Sequence, residues 1–226
     1  MQHRTYRYKI QYLGDQGERG REWCTVTVHG NGDRTMRALC EMDDSEILRD
    51  VTTSVDQHWH PKDAFVRISI RDRFAGSSWF RFAGSTVECE GFTVGEGRIS
   101  QSIDFPRPPE SFVTHPVSCD VFHFANIDRG RPGEIQESLS ATCSPLPNGG
   151  SGPMLGITHH RFRYHGNETV ESPAGTFECE HVTFVDKHGV DRLDAWCTLK
   201  DRILVKMRFD VLSTTYVLQE LEGSSG

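Results

Sequence analysis

The 226 residues carry a net charge of −7, with 36% hydrophobic and 25% charged side chains. A polyanion would meet net repulsion, and no basic stripe or recognition motif offsets it, so nucleic acid is excluded as a partner. No apolar run reaches the roughly 20 residues that span a bilayer, and Met1 to Tyr6 holds no signal-like core, so no membrane association is expected and the sequence reads as cytoplasmic.

From the N-terminus, period-two alternation predicts strands over Thr5 to Leu13, Trp23 to His29, Thr35 to Met42 and Leu48 to Asp56. Gly14 to Gly20 and Gly30 to Asp33 carry turn chemistry, since glycine and asparagine tolerate positive φ. Further strands are predicted over Ala64 to Arg71, Ser77 to Ala83, Thr86 to Val94 and Arg98 to Asp104. Phe105 to Pro109 breaks the pattern, because proline donates no ladder hydrogen bond. A short helix is expected within Ser111 to Ile127, followed by loops at Asp128 to Pro132 and Pro145 to Pro153. Strands resume near Ile157 to Tyr164, Phe177 to Val185, Arg192 to Leu199, Ile203 to Asp210 and Ser213 to Glu220.

Ala83 to Val94 (AGSTVECEGFTV) returns as Ala174 to Val185 (AGTFECEHVTFV), without a gap from Val87 and Phe177 onward. Such an echo predicts two related β-halves meeting edge to edge. The expected fold is therefore all-β, an antiparallel barrel or barrel-like curved sheet. It forms one domain over 1–222, with a β-half 1–104, an insertion 105–153 covering an end of the sheet, and a β-half 154–222. Residues 223–226 read as a linker remnant. The seven cysteines include no Cys-x-x-Cys pair, which disfavours structural zinc and fits buried reduced thiols.

Glu171 to Phe177 (ESPAGTF), then Trp196, then Asp201 to Lys206 (DRILVK) resemble a bacterial family known only as a domain of unknown function. In that family a Pro-Ala-Gly-Thr-Phe turn opens a strand of a curved, lipocalin-like sheet. The likeness covers the last third of the chain. It implies a barrel-like fold and carries no activity or catalytic residues with it.

The densest polar cluster is His115 to His123. On a helix, His115, Cys119 and His123 share a face, and Asp120 lies three residues from His123. Asp120 orienting His123 makes a usable acid/base pair, because histidine titrates near neutrality. The competing reading is a capping aspartate and a helix-end histidine. Asp50, Thr52, Ser54, Asp56, His58 and His60 form a second polar stripe on an extended strand. It faces solvent, lines a cavity with His58 and His60 as acid/base or orienting groups, or holds a metal through them. His160, Phe162 and Tyr164 are expected to face inward, and Glu88, Glu90, Glu178 and Glu180 to face solvent. His181 replaces Gly91 of the first copy and either fills space or enters a cavity. Trp59, Trp79, Phe122, Tyr164 and His181 are the candidate ligand-binding residues. Nucleophile-elbow, phosphate-loop and dinucleotide motifs are all missing, so no cofactor is called for. The sequence thus points to a cofactor-independent lyase, isomerase or hydratase acting on a hydrophobic small molecule. A lipocalin-like carrier is the alternative and a metal-dependent barrel enzyme the third reading. Oligomeric state is left open, a homodimer among the options.

Overall fold

Apolar side chains at every second position give each strand one face that must leave water, and pairing neighbours buries that face on one side of a growing sheet. The computed structural model describes residues 3–144, 146 and 149–223. Ser224 to Gly226, most of the linker-like tail, lie outside the described residues.

In the first half a meander of eight strands runs β1 (Arg4–Gly14), β2 (Gly17–Val28), β3 (Arg34–Met42), β4 (Ile47–Val55), β5 (Pro61–Ile70), β6 (Arg73–Ala83), β7 (Thr86–Thr93) and β8 (Gly97–Asp104). The middle segment holds β9 (Ser111–Val113), the four-residue helix α1 (Val117–Asp120) and β10 (Ile135–Thr142). The second half comprises β11 (Gly156–Ser172), β12 (Gly175–Val185), β13 (Asp191–Thr198), β14 (Leu204–Phe209) and β15 (Thr214–Glu222). All fifteen strands join one curved sheet, in the order β8-β7-β6-β5-β4-β3-β2-β1-β15-β14-β13-β12-β11-β10-β9.

The halves meet where β1 pairs antiparallel with β15, from Arg7 opposite Glu222 to Leu13 opposite Thr215. The repeated segments form the hairpins β6–β7 and β11–β12, which turn at Gly84 (φ 64°) and Gly175 (φ 137°), conformations that favour glycine. The outer strands β8 and β9 are not paired in the sheet order. The loop before β11 bonds to the first half instead, with Leu155 N–H donating to Gln101 Oε1 (2.8 Å) and Ser78 Oγ donating to Pro153 O (2.7 Å).

Several elements differ from expectation. The first hairpin is tight: β1 and β2 extend through most of the predicted Gly14–Gly20 turn. β11 runs eight residues past Tyr164. β9 and β10 lie inside the segment predicted to be loop and helix.

The largest correction concerns that segment. It enters the concave side of the sheet and becomes its core. Val121 and Phe124 are fully buried, and Val117, Cys119 and Phe122 are buried with them among Tyr8, Met36, Phe162, Leu204 and Met207. A second cluster, including Val66, Ile68, Phe80 and Cys89, buries Phe105, Phe112 and Leu155. A curved sheet of this size leaves more concave apolar surface than its own side chains can cover, and the inserted chain supplies the missing contacts. All seven cysteines are free and buried.

Candidate functional site

The inserted helix is held by an acid on the sheet. Gly20, Glu22, Cys24 and Val26 alternate inward on β2, so the carboxylate of Glu22 points into the core, where it is fully buried. Four residues cannot satisfy the leading amides of a helix. Here Val117 N–H donates to Glu22 Oε1 (2.5 Å) and Ser118 N–H to Oε2 (3.1 Å), while the Tyr12 hydroxyl donates to Oε1 (2.5 Å). Burial raises the Glu22 pKa, and these donors oppose the rise. Arg49 is likewise fully buried on β4, with Nη1 directed at Thr114 O (3.5 Å).

Two adjoining cavities open beside this anchor. The first, about 400 Å³, is walled by Tyr12, Met42, Leu193, Met207, Phe209 and Tyr216, with Arg19 and Asp44 also on its lining. Arg19 is fixed to Asp44 (Nε to Oδ2, 2.8 Å) and to Leu212 O (3.0 Å). The second, about 240 Å³, is polar and includes His123, Thr142, Ser144, Thr158 and His160. Asp120 and His115 line both.

His115 has positive φ (73°) and precedes Pro116, so it lies outside the helix, and Cys119 is buried in the core. The expected shared helical face of His115, Cys119 and His123 therefore does not form. His115, Asp120 and His123 nevertheless line one cavity, and β11 adds His160. His123 Nε2 lies 3.5 Å from Asp120 Oδ1. The rings of His123 and His160 stack with centres 4.8 Å apart. His123 Nδ1 meets Ser111 Oγ (2.9 Å), Ser111 Oγ meets Ser140 Oγ (2.7 Å), and Ser140 Oγ meets His160 Nδ1 (3.2 Å).

Burial disfavours the charged form of each group. It pushes Asp120 up to about 7, against the opposing field of Arg49. It pushes His123 and His160 down to about 3, aided for His160 by His123 and His159. Near neutrality the histidines are neutral, and Asp120 is the group that titrates.

The remaining candidates sit elsewhere. β4 ends at Val55, so His58 and His60 fall in an exposed turn where both backbone amides donate to Asp56 Oδ1. The chain reverses before the predicted stripe reaches them. Among the described residues no group of three or more His, Cys, Asp or Glu is placed to hold a metal ion. Trp59 packs on Phe122 (centres 5.0 Å apart) beneath Arg34, away from both cavities. Trp79 is exposed, and the Tyr164 hydroxyl donates to Asn167 Oδ1 (2.8 Å).

Glu180, expected to face solvent, is buried and accepts from Arg129 (3.0 Å) and Arg202 (3.3 Å). Two guanidiniums make that burial tolerable. His181 stacks between His165 and Trp196, with Nε2 3.1 Å from Asp194 Oδ1, and lines neither cavity.

No family model and no curated protein matches the chain. Solved structures do match in fold. A beta-barrel-like protein of domain of unknown function DUF1849 from Brucella abortus has a TM-score of 0.59 at 11% identity, covering 99% of each chain. A DUF1089 family protein from Pseudomonas aeruginosa has a TM-score of 0.48 at 8% identity, covering 84% of this chain and 90% of its own. The first likeness establishes a barrel-like fold shared with a domain of unknown function, and at this identity it establishes the fold alone. No helix among the described residues is long and apolar enough to cross a membrane.

Proposed function

We propose that the protein binds an apolar small molecule with a polar end group at the barrel mouth. The observation that carries this is the position of Asp120, which lines both the apolar and the polar cavity. Pockets of this kind pair broad apolar walls with few polar groups, and those groups fix the orientation of the ligand. The apolar end would lie against Met207, Phe209 and Tyr216, and the polar end against Asp120, His123 and His160. The kinship of the last third with the Pro-Ala-Gly-Thr-Phe family is part of the same proposal, supported by the tight turn that those residues make between β11 and β12.

The test is titration with an uncharged fluorescent dye such as Nile red. Met207 is fully buried and lines the apolar cavity, so Met207→Trp should fill it and weaken binding about tenfold or more. Trp79→Ala, on the exposed surface, should leave affinity unchanged. Equal affinity in wild type and Met207→Trp refutes the site. A second reading, cofactor-independent lyase or isomerase chemistry on the same ligand, is favoured by one observation: the Asp120 carboxyl and the His123 imidazole line the same cavity 3.5 Å apart.

A further inference from the structure

The contacts from His123 through Ser111 and Ser140 to His160 form an unbroken chain, N···O···O···N. Each serine hydroxyl has a single proton. The three contacts are therefore all filled, with no hydroxyl proton left over, only when the donors run head to tail. In one direction His160 Nδ1–H donates to Ser140, Ser140 to Ser111, and Ser111 to His123 Nδ1. In the other, His123 Nδ1–H starts the chain and it ends on His160 Nδ1. The two imidazoles thus hold opposite tautomers, and reversing one reverses the other.

The end of the chain faces a titratable group. His123 is 4% exposed, its Nε2 has no hydrogen-bond partner, and a small side-chain rotation brings Asp120 Oδ1, 3.5 Å away, into range. We propose that Asp120, His123, Ser111, Ser140 and His160 form a proton relay that carries a proton from Asp120 to an acceptor in the polar cavity beside His160. Protonated Asp120 gives its proton to His123 Nε2. His123 Nδ1 passes one to Ser111 Oγ, Ser111 to Ser140 Oγ, and Ser140 to His160 Nδ1. His160 Nε2 releases its proton to the acceptor, either water or the uncharged oxygen function of a bound molecule. One proton enters, one leaves, and the chain ends in the opposite direction with Asp120 as the carboxylate facing His123 Nε2–H. No imidazolium forms, which suits a site where burial disfavours positive charge.

The relay builds on the proposed ligand site only for its acceptor, and its test adds no ligand, so either proposal fails without the other. The groups facing Asp120 are Arg49 on β4, Tyr216 on β15, and His115, Cys119 and His123 of its own segment, with Arg19 and Asp44 across the apolar cavity. His160 faces His123 and His159. The experiment is nitrogen-15 NMR of histidine-labelled protein titrated through neutrality. Above the Asp120 midpoint, expected near 7, His123 should carry its proton on Nε2 and His160 on Nδ1. Below it both should switch together, neither becoming an imidazolium above about pH 5. In Ser140→Ala, and independently in Ser111→Ala, His160 should cease to follow pH. Ser140→Thr, which keeps the hydroxyl, should retain the coupling that Ser140→Ala loses. The relay is overturned if His160 stays fixed in wild type, if it still follows pH in a folded alanine variant, or if either ring takes up a second proton in that range.

Discussion

Asp120 is the residue at the site whose shifted titration falls near neutrality. Its folded pKa, about 7, lies above the ordinary carboxyl value of 3.8. The folded state therefore binds the proton more tightly, and this contribution to stability is whole below about pH 4 and lost as pH rises through 7. Asp120→Asn cannot ionise and escapes that loss. The variant should match wild type near pH 4 and exceed it by on the order of 3 kcal/mol at pH 8, in urea unfolding at each pH. His123 has the reverse sign: its depressed pKa supports the fold above 6.5 and withdraws that support as pH falls toward 3. Glu22 acts through its acceptors. Glu22→Ala leaves two buried amides and the Tyr12 hydroxyl without a partner and should cost about 3 kcal/mol or more, measured as a lower urea midpoint. Both acids differ in how far the sequence discloses them. Asp120 and His123 stand three apart in a conspicuous polar run, so their meeting was legible. Glu22 falls just before the strand predicted over Trp23 to His29, and nothing in the sequence marked it as inward. His160, Ser111 and Ser140 come together across three strands, and no spacing rule connects them.

At the scale of elements, the strands were legible because one face of each is apolar, and that alternation survives in any context. The errors lie where tertiary contacts override local pattern. β9 and β10 sit in a stretch whose prolines and glycines mask two short runs, and α1 holds only four residues, too few to leave a helical period. The role of the middle segment was illegible, since a lid and a plug share the same composition. Phe124 separates the two. It is fully buried, with its ring centre 5.8 Å from that of Phe162. Phe124→Ala should lower stability by about 3–5 kcal/mol, as loss of a core aromatic does, and a change under about 1 kcal/mol in chemical denaturation would mark the segment as a cover.

For the molecule as a whole, the internal echo was the informative signal, because it implied two strand sets in one sheet. It could not show that the outer strands stay unpaired, since that depends on how much chain the interior must hold. The seam between β1 and β15 is the join that unites the sheet. A chain ending at Leu212 lacks β15, which separates β1 from β14, and should show no cooperative unfolding transition by circular dichroism.

That seam also has a meaning in time. Arg7 and Glu222 are paired neighbours, yet almost the whole sheet lies between them along the chain. Until β15 is made, the edge of β1 away from β2 presents a bare row of amides and carbonyls, ready to capture any passing strand. Completing the sheet must therefore wait for β15 and is slow for its size, as its long-range pairings require.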